Sequence, residues 1–123
     1  MHLTILPGQL AICRRPADTS LPADLDRGPF FAYIRTPEEL SIILPVENTP
    51  PDWQCERGWC GIKVAGPLDF SLVGVLHSLT APLAQAGISL FAVSTFDTDY
   101  ILVRRQDLDH ARDVLSAAGH VIQ

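Results

Sequence analysis

From Trp59 onward the chain switches between two hydrophobic periods. "WCGIKVAG" (Trp59 to Gly66) is apolar and β-branched, as a strand is, and "GPLDFS" then breaks it. After Asp69, a residue type favoured at helix N-caps, Leu72, Leu76, Leu79, Leu83 and Ala86 recur at spacings of four, three, four and three. That spacing predicts one face of a helix over 70–86. Pro82 removes the bond to the Ser78 carbonyl and predicts a kink or restart, and Gly87 closes the helix as a C-terminal cap. "ISLFAVST" (Ile88 to Thr95) reads as a strand apolar on both faces, "FDT" as a turn, and "DYILVRR" as the returning strand. Asp107 is placed to cap a second helix whose stripe is Leu108, Ala111, Val114, Leu115 and Ala118. Gly119 ends that helix, and "HVIQ" is a short last strand. The order is βαββαβ, in which two right-handed crossovers put both helices on one face of an antiparallel sheet. The fold class expected is α+β, ferredoxin-like.

The N-terminal half shows strands and hardly a helix. "LTIL" and "QLAICRR" flank Pro7-Gly8, "PADTSLPADLDRGP" is a loop, and "FFAYIR", "TPEE" and "LSIILPVE" form a second hairpin. Phe31-Ala32 aligns with Phe91-Ala92 and Glu39 with Asp99, an offset of sixty residues. The expectation is a degenerate, mostly β half over 1–52, a linker around Pro50-Pro51, and a complete unit over 58–123 packed with it.

Composition narrows the classes. With 123 residues, 47% of them apolar, the chain can bury enough surface to offset its ordering entropy. A net charge of -5 argues against nucleic acid or an anionic membrane, since both need clustered cations. No apolar run is long enough to span a bilayer, and "MHLTILPG" lacks the features of a signal peptide, so the cytoplasm is the expected compartment. Three cysteines fit a reducing compartment better than a disulfide framework, with Cys13 as a small core residue. Cys55 and Cys60, spaced C-x4-C, could supply two zinc ligands, but no second pair follows at finger-like spacing and no metal site is expected.

Two stretches carry a family resemblance. The "GPLDFS" turn and the hairpin "VSTFDTDYILV" are similar to those of ACT-domain regulatory modules, specifically small bacterial tandem ACT-like proteins related to the cytosolic arginine sensor. The similarity is strongest from about Gly58 to the C-terminus. It implies a non-catalytic module that binds a small molecule, typically an amino acid, where ACT units meet. The residues it selects are Gly66, Asp69, Phe70, Ser71 and Leu72 in one loop and Thr95, Phe96, Thr98 and Asp99 in the other. The N-terminal half departs from the pattern in lacking a full helix, so the expectation is that the usual pairing of two units takes a second chain, a homodimer.

Elementary chemistry agrees with that choice. An amino acid's carboxylate seeks backbone N–H groups at a helix start, its ammonium seeks a carboxylate such as Asp97 or Asp99, and a glycine at 66 allows close approach. A basic side chain would add a demand that Asp69 and Asp99 could meet. Plainer roles stand beside these: Asp69 as a cap, Asp97, Thr98 and Asp99 as turn residues, Phe70 and Phe96 as packing. His77, His110 and His120 have no expected chemical role. No nucleophile, phosphate-loop, metalloprotease or dinucleotide motif occurs, and the "DTD" carboxylates make poor acid–base partners, so neither an enzyme nor a cofactor is expected. The alternative function is a protein-interaction or dimerisation module without a small ligand.

Overall fold

The computed structural model describes residues 1–69 and 71–123, so the expected contribution of Phe70 lies outside the described residues. The chain forms two compact units, Met1–Leu6 with Cys60–Gln123, and Pro7–Trp59. The expected bounds were 1–52 and 58–123. The first six residues join the C-terminal unit, and the strand expected to begin at Trp59 begins at Gln54, inside the presumed linker.

The first unit is α+β and ferredoxin-like. It contains β1 (His2–Ile5), the end of β5 (Gln54–Val64), α1 (Val75–Gln85), β6 (Leu90–Ser94), β7 (Asp99–Arg104), α2 (Leu108–Ala117) and β8 (Val121–Ile122). Strands run in the order β6-β7-β5-β1-β8. The partners of β1 are what the sequence did not place. Leu3 is buried while His2 and Thr4 are exposed, the alternation of a strand with one face inward. It pairs antiparallel with β5, Leu3 opposite Val64 and Ile5 opposite Ile62, and parallel with β8, Leu3 opposite Ile122. "HVIQ" therefore borders β1 and not the strand of its own βαββαβ unit.

Both helices pack on one face, as the pattern predicts. Leu79 and Leu83 of α1 and Ala111 and Leu115 of α2 share a core with Leu3, Ile62, Val64, Ile101 and Val103. The helices also end alike. Gly87 (φ 74°) and Gly119 (φ 97°) take the left-handed conformation that glycine adopts without a Cβ penalty. The N–H after each returns to the last-turn carbonyl, Ile88 to Leu83 and His120 to Leu115, which satisfies two orphan acceptors.

The start of α1 differs from expectation. The helix begins at Val75, not near 70, behind Gly74, whose φ of 78° is incompatible with extending the helix backward. Asp69 does not cap it. Asp107 likewise makes no capping side-chain bond, because a 3-10 turn over Arg105–Asp107 already leads into α2.

Pro82 sits inside α1 without ending it. The Ser78 carbonyl that proline leaves without a helical donor is instead met by His120 Nε2 at 3.0 Å. The other ring nitrogen, Nδ1, lies 3.1 Å from the Met1 amine. A carbonyl only accepts and an ammonium only donates, so these partners assign the neutral Nε2–H tautomer. His120, unassigned from sequence, is a buried tie. Replacing His120 by alanine strands the Ser78 carbonyl and is expected to cost about 1–3 kcal/mol, readable as a lower urea midpoint.

The second unit is all β among the described residues apart from one 3-10 turn. β2 (Leu10–Arg15), β3 (Ala32–Arg35) and β4 (Leu40–Pro45) run with β5 in the order β3-β4-β2-β5. Ala11, Cys13, Leu25, Leu40, Ile42, Leu44 and Trp53 form its core. Register sets Cys13 directly opposite Cys55, and the two are bonded as a disulfide with Cα atoms 4.0 Å apart. This corrects the reading of Cys13 as a simple core thiol, and it leaves no reduced Cys55 to pair with Cys60 at a metal. An odd cysteine count hides such a pair because the two residues are 42 positions apart. Closing a loop of that size removes unfolded-state freedom corresponding to roughly 4 kcal/mol.

The two hairpins share a turn device at an offset different from the expected sixty. Thr36 N–H donates to the Glu39 carbonyl at 2.9 Å and Thr95 N–H to the Thr98 carbonyl at 2.8 Å. The threonine hydroxyl of each turn accepts the N–H three residues on, from Glu39 and from Thr98. Both differences, 95 − 36 and 98 − 39, equal fifty-nine. Ala32, not Phe31, is thus the counterpart of Phe91, and Leu40, not Glu39, that of Asp99. A one-residue slip matters because it exchanges the faces of a strand.

Candidate functional site

Two segments of the first unit meet at the open end of β5 and β7. The first comprises residues 66–69 and 71–74, and the second is the turn between β6 and β7. Leu68 N–H donates to the Asp97 carbonyl at 2.6 Å, joining them directly. Thr98 is 5% exposed, and its hydroxyl donates to the Val64 carbonyl at 2.6 Å, so its side chain anchors the turn. A Cβ on Gly66 would lie 3.0 Å from both the Asp97 carbonyl oxygen and Thr98 Cβ. The close approach that glycine permits here is that of the turn itself. Thr98→Val keeps the shape and removes the donor, and is expected to lower stability by about 1–2 kcal/mol in a urea titration.

Between the segments lies a cavity of about 200 Å³, lined by Leu68, Asp69, Leu72 and Val75 on one side and residues 94–99 on the other. Of the expected site residues, Asp69, Leu72, Thr95, Phe96, Thr98 and Asp99 line it. Ser71 does not. Gly66 lines a second cavity of about 190 Å³ across the same turn, with Lys63, Pro67, Asp97 and Tyr100 among its walls. Leu68, Val75 and Ser94 were not singled out from sequence. The signal available for Ser94 was its position opposite Asp99 across the turn.

Charge in the first cavity has one sign. Asp69, Asp97 and Asp99 line it, and among the described residues no Lys, Arg or His does. Asp99 accepts the Ser94 hydroxyl at 2.6 Å, which fixes its carboxylate. Asp69 accepts the Ser71 N–H at 2.9 Å, and this bond lowers its pKa below the ordinary aspartate value. Its sign follows: the carboxylate's favourable interaction is present above the usual aspartate pKa and is lost as pH falls through the depressed one. Val75, the first residue of α1, also lines the cavity. Leu72 and Phe96 of the lining are exposed, at 52% and 79%, and Val73, next to Leu72 in the chain, is 92% exposed.

Among the described residues no cluster of three or more His, Cys, Asp or Glu side chains is placed to hold a metal, and no helix is long and apolar enough to cross a membrane. Cys60 is buried, and desolvation pushes its thiol pKa up, partly offset by the Arg105 charge.

The ACT-domain family model matches residues 54–117, more than half of the chain. The chain belongs to the ACT-domain family. It is 32% identical over 90 residues to the cytosolic arginine sensor for mTORC1 subunit 1 of Bos taurus, an alignment covering 64% of this chain and 27% of that protein. The chain thus spans about a quarter of that relative's length. A crystallised protein of Agrobacterium tumefaciens shares 40% identity with a TM-score of 0.93, covering 99% of this chain and 91% of that one. The ligand-free regulatory subunit of aspartate kinase from Thermus thermophilus has a TM-score of 0.61 at 11% identity, covering 90% and 91%, a likeness of fold.

Proposed function

We propose that this chain is a non-catalytic regulatory protein that binds a small cationic amine or amino acid in the cavity between the 66–74 loop and the β6–β7 turn. The observation that carries the reading is the lining by three aspartates and, among the described residues, no base, beside the start of a helix. Carboxylates gathered around one recess favour an ammonium or guanidinium, and the helix start favours the carboxylate of the same ligand. The volume suits a metabolite smaller than a drug-sized molecule. Relatedness to a protein named as an arginine sensor supports a basic amino acid, and the word cytosolic in that name supports a cytoplasmic setting.

Thermal unfolding with L-arginine, L-lysine and L-glutamate at millimolar concentration tests this. A ligand that binds only the folded state raises Tm by mass action, by about 2.7 kcal/mol of stabilisation at a hundred times Kd. Arginine or lysine is expected to shift Tm upward and glutamate to leave it unchanged. Equal shifts for all three, or none for any of the twenty amino acids, would remove the basis of the proposal.

The exposed apolar residues favour a second reading in which Leu72, Val73 and Phe96 dock a partner or a second copy of the chain. Light scattering separates the two. A dimer that forms equally with and without amino acid supports the interaction module.

A further inference from the structure

We propose that Cys13 and Cys55 are a redox modification site, a disulfide that a dithiol reductant opens and an oxidant closes while the protein stays folded. Three observations carry this. First, the two residues face each other across neighbouring antiparallel strands, and the pairs Ile12–Glu56 and Arg14–Gln54 flank them. β2 is also paired along its whole length with β4. Breaking the sulfur bond therefore removes none of the ladder that aligns the thiols, and they remain poised to rejoin. Second, a groove of about 450 Å³, walled by Arg14, Glu39, Gln54 and Glu56, reaches both cysteines, and Cys55 is only half-buried. A small or protein-borne thiolate can approach from outside. Third, the remaining cysteine does not compete. Cys60 is buried and belongs to the other compact unit.

The chemistry is two-step thiol–disulfide exchange. A thiolate of the reductant attacks Cys55 Sγ, forming a mixed disulfide and expelling Cys13 as a thiolate, which takes up a proton. The second thiol of the reductant then attacks its own sulfur in the mixed disulfide, releasing Cys55. The reductant becomes a disulfide and the protein gains two electrons and two protons. Re-oxidation by oxidised glutathione runs the same sequence in reverse and yields two reduced glutathiones. The consequence is a stability setting: the oxidised form carries the cross-link over 42 residues and the reduced form does not.

The test uses the full chain after equilibration with oxidised glutathione, with dithiothreitol as the reductant. Alkylation in denaturant followed by mass measurement counts thiols. Three cysteines less two bonded leaves one before reduction, and three are expected after native reduction. Native reduction is expected to proceed at a rate that low urea does not raise, to leave the circular dichroism spectrum unchanged, and to lower Tm by roughly 10 °C, reversibly. Cys13→Ser is expected to show the lowered Tm with no response to dithiothreitol. Three free thiols in the glutathione-equilibrated chain, a bond that opens only in unfolding urea, or a reduced chain that fails to re-form the bond would each overturn the proposal.

Discussion

Leu83→Ala is expected to lower the unfolding free energy by about 3–5 kcal/mol, while Leu72→Ala, on the same expected helical stripe, shifts it by no more than about 0.5 kcal/mol. Leu83 is fully buried in the core shared by both helices and β1, β5 and β7, and its removal leaves a cavity that close-packed neighbours fill only partly. Leu72 is half exposed and lies before the helix begins. Urea denaturation of both variants measures the contrast. A comparable large loss for Leu72→Ala would mean that α1 starts near residue 70 after all and that the loop bounding the cavity does not exist in this form.

The double substitution Asp97→Asn with Asp99→Asn is expected to weaken binding of L-arginine by roughly 100-fold or more, since each charge-assisted hydrogen bond contributes about 1.5–3 kcal/mol. Asparagine retains the size and an acceptor oxygen, so the Ser94 bond and the turn can persist while the negative charge is lost. Asp69→Asn is expected to matter less, because that carboxylate is already engaged by the Ser71 N–H. Calorimetric titration of the three proteins gives the comparison. Unchanged affinity in the double variant would place the recognition elsewhere.

Periodicity made the C-terminal unit legible because its helices bury a clear 3.6-residue stripe and each ends on a glycine. It failed at the start of α1, where Asp69 and Leu72 fit a helical pattern but Gly74, in the left-handed conformation, starts the helix later. β1 was recognisable as a strand, yet its partners, β5 and β8, are set by tertiary pairing that local pattern does not encode. The same holds for Cys13 and Cys55, and for His120, whose role follows from a proline far away in the chain. For the site, the family resemblance selected two segments, and several of the residues it named line one cavity. The roles within them needed coordinates: Thr98 proved an anchor through Val64, and Gly66 a packing point for the turn.

The most direct test is a titration of the isotope-labelled chain with L-arginine, following backbone amide resonances. Binding in the aspartate-lined cavity is expected to move the signals of Leu68, Asp69, Leu72, Val75 and residues 94–99 together, saturating along one curve, while those of β2 to β4 stay in place. Saturable movement confined to other residues, or no movement at millimolar arginine or lysine, would contradict it.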